Sequence, residues 1–76
     1  MIERDYPHVH MNLRKHMEEL GISRNSLARA VNTRFEVINK WYAGDVEKVD
    51  LDVLSRVCYI LECEPGDLLL LEEAEE

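Results

Sequence analysis

Between Ser23 and Gly44 the chain is punctuated so closely that only short helices fit. Ser23 is a good N-cap, and Leu27, Ala28 and Val31 follow it at i, i+1, i+4 as one apolar helical face. Asn32 comes next, the commonest non-glycine residue to tolerate the left-handed backbone that a tight turn requires. A further helix is predicted over residues 34–42, with Ile38 and Trp41 facing inward at i, i+3, until Gly44-Asp45 breaks it. The small Ala28 lets two backbones approach closely over so short a turn. The stretch therefore reads as two short helices crossing at a sharp angle.

Charge gives that pair of helices a direction. Residues 23–44 hold four of the nine basic residues (Arg24, Arg29, Arg34, Lys40) against one acid, Glu36, in a chain whose net charge is −7. Residues 45–76 hold only Lys48 and Arg56 against eleven acids. With charge so segregated, the net value is a poor guide to the partner. A basic helix-turn-helix offers a helix end to the major groove of DNA, while an acidic rear lowers non-specific affinity and turns the basic front toward the phosphates.

The remaining segments fit around this pair. At 76 residues the chain is one small domain, which buries roughly 60% of its unfolded surface and has a thin core. His8 to Met11 alternates as a brief strand, with Val9, Met11 and Leu13 to one side. Leu13, Met17 and Leu20 then mark the apolar stripe of a first helix that stops at Gly21. Asp50 caps a fourth helix, with Leu51, Leu54, Cys58 and Leu61 as its first stripe. Val53, Val57 and Ile60 form a second stripe, either a wide core face or part of a dimer surface. Pro65 opens a short last turn, and Leu68 to Leu71 is expected to pair with Val9 to Met11, closing one terminus on the other. The folded core is expected over residues 12–70, with 72–76 a disordered acidic tail.

Several function classes are disfavoured. The longest apolar run, Leu68 to Leu71, falls far short of the ~20 residues a membrane helix needs. The N-terminus carries acids where a secretory signal has bases, so a cytoplasmic protein is expected. Cys58 and Cys63 lack a Cys-x-x-Cys spacing and point ~140° apart if both are helical, so they read as small buried hydrophobes in a reducing compartment. His8, His10 and His16 have no acid or cysteine to complete a metal site and read as solvated side chains near a terminus. With no nucleophile–base pair and no phosphate loop, neither an enzyme nor a cofactor or small-molecule substrate is expected.

Ser23, Leu27, Ala28, Ile38, Trp41 and Gly44 fall without a gap on the pattern Thr/Ser-Gln-x-x-Leu-Ala, three residues, Gly-hydrophobic-Ser, x-x-x-Ile-Ser-x-Trp-x-x-Gly. In this the chain resembles the Cro/cI-type, lambda-repressor-like helix-turn-helix regulators over residues 12–70. The ending Leu61-Glu62-Cys63-Glu64-Pro65-Gly66-Asp67-Leu68-Leu69 is similar to small single-domain members. The resemblance implies an all-α bundle of about five short helices, with a small two-stranded patch joining the termini. It also implies a transcriptional regulator of double-stranded DNA. Departures are Arg24 for the usual Gln, Asn32 for the turn glycine, Arg34 for the Ser/Thr cap of the third helix, and Tyr42 for a frequent acid. Because Arg cannot cap in the ordinary way, the third helix is expected to start from Thr33.

That resemblance places the recognition helix at residues 34–42 and gives its outer residues roles. Arg34 suits guanine, Asn39 adenine and Glu36 cytosine N4. Arg24 and Lys40 suit phosphates. Phe35 is either a cover for thymine methyls or a flank against the second helix, Trp41 is core, and Arg4 and Arg56 receive no role. A homodimer on a short inverted repeat is expected, because one helix end makes few base contacts. The alternative is a protein-interaction adaptor or antitoxin-type regulator of the same fold.

Overall fold

The computed structural model describes residues 6–72. In chain order it comprises β1 (His8–Met11), α1 (Leu13–Leu20), α2 (Arg24–Ala30), α3 (Phe35–Ala43), α4 (Leu51–Leu61), α5 (Pro65–Leu68) and β2 (Leu69–Glu72). This is the expected bundle of five short helices with a two-stranded antiparallel patch between the ends of the chain.

The first four helices end in the same way, which is why they are short. Gly21, Asn32, Gly44 and Glu62 all have left-handed backbone, with φ of 69°, 56°, 85° and 54°. After each, the next N–H turns back to a carbonyl five residues upstream: Ile22 to Met17, Thr33 to Ala28, Asp45 to Lys40 and Cys63 to Cys58, at 2.9–3.1 Å. Carbonyls that the helix leaves unpaired are satisfied in this way, and the chain reverses. Three of the starts are held by side chains. Ser23 Oγ accepts from Ser26 N at 3.1 Å, and Asp50 Oδ1 accepts from Asp52 N and Val53 N. Asp67 closes a reciprocal capping box with Glu64 around Pro65.

The core is apolar throughout. Leu13 and Met17 of α1, Leu27, Ala28 and Val31 of the α2 region, Ile38 and Trp41 of α3, and Leu54, Val57, Cys58 and Leu61 of α4 are buried, with Met11 and Leu68 sealing one end. Each large aliphatic side chain so placed contributes about 1.5–3 kcal/mol. Two stripe positions depart from expectation. Leu20 is the last residue of α1 and Leu51 the first of α4, so both lie past the edge of the bundle, 59% and 74% exposed. The second stripe of α4 is a wide core face: Val57 is fully buried, and Val53 and Ile60 pack half-buried against the same core. Val57 is thereby unavailable to a partner.

β1 and β2 pair in antiparallel register, Met11 opposite Leu69 and Val9 opposite Leu71. Met11 and Leu69 pack on the core, but Val9 and Leu71 continue the same face beyond the bundle, 59% and 67% exposed. Burial of Val9, implied by the alternation, therefore stops at Met11. Glu72, assigned to the tail from sequence, belongs to β2 opposite His8, and residues 73–76 lie outside the described residues. The histidines are engaged rather than simply solvated. His8 lies against Tyr6, His10 Nδ1 is 3.5 Å from Glu72, and His16 Nε2 donates to the Asp67 carbonyl at 3.1 Å.

Candidate nucleic-acid interface

Ser23, by capping α2, puts Arg24 at the first helical position on the surface, next to α3. The turn through Asn32 and Thr33 then presents α3 with Ile38 and Trp41 inward. Arg34, not Thr33, occupies the N-cap of α3. Its backbone is extended (φ −73°, ψ 147°) and its side chain makes no capping bond, so the guanidinium is left outside. The start of the helix is carried by backbone geometry and by Glu36, an acid in the first turn where the helix dipole favours it.

Arg34, Glu36 and Lys40 are exposed and, with Val37, line one shallow groove along the outside of α3. These three expected site residues share a face. Arg24, Phe35 and Asn39 form a second group at the seam of α2 and α3. The Arg24 guanidinium donates from Nη1 to Asn39 Oδ1 at 2.7 Å. It also lies over the Tyr42 ring, 4.8 Å from its centroid, and 5.9 Å from that of Phe35. Phe35 is thus a flank of the Arg24 side chain while remaining 38% exposed.

Sequence reasoning passed over three contributors to this surface. Tyr42 is clasped between two guanidinium groups, since Arg14 lies 5.4 Å from the same ring on the side of α1. Arg14 is held there by Glu18, whose carboxylate it meets at 3.0 Å, and this raises the guanidinium pKa further; the Tyr42 hydroxyl points at the same carboxylate from 3.4 Å. The third is Arg56 on α4, which donates to the Val31 carbonyl at 2.8 Å, reaches Asn32 O at 3.4 Å, and pairs with Asp52. It holds the turn between α2 and α3 from behind. The i, i+4 spacings Arg14–Glu18 and Asp52–Arg56 were readable signals; the contacts with Tyr42 and with the turn were not.

Away from this face, the cysteines correct a geometric expectation. Left-handed Glu62 folds Cys63 back onto α4, where its N–H donates to the Cys58 carbonyl at 3.0 Å and its side chain packs against the core. Burial raises both thiol pKa values above the ordinary 9.0, and Cys63, next to Cys58, is pushed up to about 11. Both are free thiols. No group of three or more His, Cys, Asp or Glu positioned to hold a metal occurs among the described residues. Nor is any described helix long and apolar enough to cross a membrane.

Residues 12–74 match the family model of the Cro/C1-type HTH DNA-binding domain. The chain belongs to that family. Among solved structures, the crystal structure of the transcriptional regulator VanUg (Form II) superposes with a TM-score of 0.71, at 24% identity over 96% of each chain. That likeness concerns the fold. No curated protein matches the chain in sequence. In this Cro/C1-type domain α2 and α3 are the helix-turn-helix, and the outer groove of α3 is the face turned away from the core.

Proposed function

We propose that this Cro/C1-type domain is a sequence-specific, cytoplasmic transcriptional regulator that lays the N-terminal half of α3 in the major groove of double-stranded DNA. The observation that carries the reading is the outer face of α3. There Arg34, Glu36 and Lys40 stand exposed on a helix anchored from behind by Ile38 and Trp41. Arg34 at the helix start suits the O6/N7 edge of guanine, Glu36 suits cytosine N4, and Lys40 suits a phosphate. Phe35, 38% exposed, suits a thymine methyl.

The regulator acts as a homodimer on a short inverted repeat, because two-fold pairing doubles the base contacts of one short helix. The apolar pair Val9 and Leu71, left uncovered by its own bundle, supports a second copy at the sheet. In vitro selection from a random duplex library tests the proposal. Enrichment of one palindromic site, with retention on it falling as salt rises, is expected. Absence of both enrichment and salt-dependent retention would leave the fold as a protein-interaction adaptor.

A further inference from the structure

We propose that Cys58 and Cys63 form a dithiol site, at the C-terminal end of α4, for a neutral trivalent arsenic species. The inference does not depend on the DNA reading above.

The backbone brings the two cysteines together. Cys63 N donates to Cys58 O at 3.0 Å and Glu62 N to Tyr59 O at 3.4 Å, around the left-handed Glu62. This is the Schellman arrangement, in which the side chains at the two outer positions, here Cys58 and Cys63, commonly meet over the helix end. Bond lengths then limit the Cα–Cα separation of the pair to roughly 7 Å. Side-chain rotation is enough to close both thiols on one atom. Both are free, and both line one open cleft with Tyr59, Glu62, Glu64 and Asp67. Cys58 lines it although only 9% exposed, and Cys63 is half-buried beside it.

The surroundings select the ligand. Trivalent arsenic is thiophilic, and arsenous acid and arsenoxides are uncharged at neutral pH. Each of two thiols displaces one hydroxyl from the hydrated arsenic. Two As–O and two S–H bonds break, two As–S bonds form, and two waters leave. No charge changes, and no oxidant is consumed. That balance suits this cleft. Burial raises both thiol pKa values and so keeps the sulfurs protonated. The lining holds three carboxylates and no base, which opposes any product that adds negative charge. Two thiolates around a soft monovalent ion such as Cu(I) are such a product. A four-coordinate ion such as Zn²⁺ lacks ligands instead, since no group of three or more His, Cys, Asp or Glu is positioned for it among the described residues. Asp67 is already engaged, its Oδ2 accepting from Glu64 N at 2.9 Å.

The probe is phenylarsine oxide, added to the reduced chain without oxygen at neutral pH. Mass spectrometry is expected to show one phenylarsenic group per chain, with Cys58 and Cys63 both protected from alkylation after unfolding. The monothiol 2-mercaptoethanol should leave the adduct in place and the dithiol 2,3-dimercaptopropanol should strip it, the mark of two sulfurs on one arsenic. Cys63→Ser and Cys58→Ala should each weaken retention by more than about a hundred-fold, because loss of an outer-shell partner alone costs ligated sites roughly 10- to 100-fold. An adduct that the monothiol strips, that only one cysteine holds, or that two chains share overturns the proposal. Those results come from the wild-type chain, so they stand even if a variant fails to fold.

Thermal unfolding separates a built site from a flexible pair of thiols. A ligand that prefers the folded chain raises Tm. Phenylarsine oxide is expected to raise the Tm of the wild-type chain and to leave that of Cys63→Ser unchanged. A wild-type Tm that stays the same or falls overturns the folded site, even where an adduct forms.

Discussion

An Arg56→Ala substitution removes the α4 side chain that hydrogen-bonds the turn between α2 and α3. It deletes a hydrogen bond of 2.8 Å to the half-shielded Val31 carbonyl, a longer one to Asn32 and an ion pair with Asp52. A bond from a charged donor is worth about 1.5–3 kcal/mol net, and the lower end applies because the Arg56 side chain is 41% exposed. An exposed i, i+4 ion pair adds about 0.3–0.5 kcal/mol. The expected loss is thus about 2 kcal/mol, a large share of the roughly 4–11 kcal/mol that a domain of this size commands. It corresponds to a Tm lowered by roughly 8–16 °C. Urea unfolding followed by Trp41, the only tryptophan and a buried one, reads the change directly. Asp52→Ala is the control: it removes the ion pair but leaves the turn held, so about 0.5–1 kcal/mol is expected. A cost below about 0.5 kcal/mol for Arg56→Ala, or equal costs for the two variants, would refute the bracing of the turn.

Glu62→Gly should stabilise the domain by about 1 kcal/mol in the same unfolding assay, because Glu62 has a left-handed φ of 54° at the negative end of α4. The thiols of Cys58 and Cys63 should react slowly with a soluble disulfide reagent at pH 8 until the protein unfolds, since burial raises both pKa values. Because the unfolded thiols ionise near 9.0 and Cys63 only at about 11, stability should hold below pH 9 and fall as pH rises from there toward 11, as pH-dependent melting would record. Leu71→Lys should weaken dimerisation in sedimentation equilibrium without unfolding the monomer, whereas Val57→Lys should unfold it. A Leu71→Lys variant that still dimerises as tightly as the wild type would exclude the sheet as the contact.

Much of the fold was legible because its signals are local. Ser23, Asp50, Pro65, Gly21, Asn32 and Gly44 stand at helix ends, where capping chemistry depends on a few neighbouring residues. The strand pairing was legible because few apolar segments remained once the helices were assigned. What was missed depends on contacts distant in sequence or on where an element stops. Leu20 and Leu51 fit their stripes but fall beyond the bundle edge. Val57 looked surplus only because the width of the α4 core face depends on how α1 and α2 pack against it. Cys63 points away from Cys58 only if the helix runs through it, whereas left-handed Glu62 ends the helix first, and glutamate carries no strong signal for that backbone. At the site, Arg34, Glu36 and Lys40 were legible as an outer face from their offset to Ile38 and Trp41. The Arg24–Asn39 bond, the clasp on Tyr42 and the bracing by Arg56 join residues from different helices, and no single-segment pattern encodes them.

If the outer face of α3 reads DNA, exposed Arg34 at its start carries part of that reading. The most direct measurement is the affinity of Arg34→Ala, relative to wild type, for the selected duplex and for an unrelated duplex at the same salt. A loss of about 1–3 kcal/mol on the selected duplex, a smaller loss on the unrelated one, and an unchanged circular dichroism spectrum are predicted. Equal affinity of the two proteins for the selected duplex would contradict it.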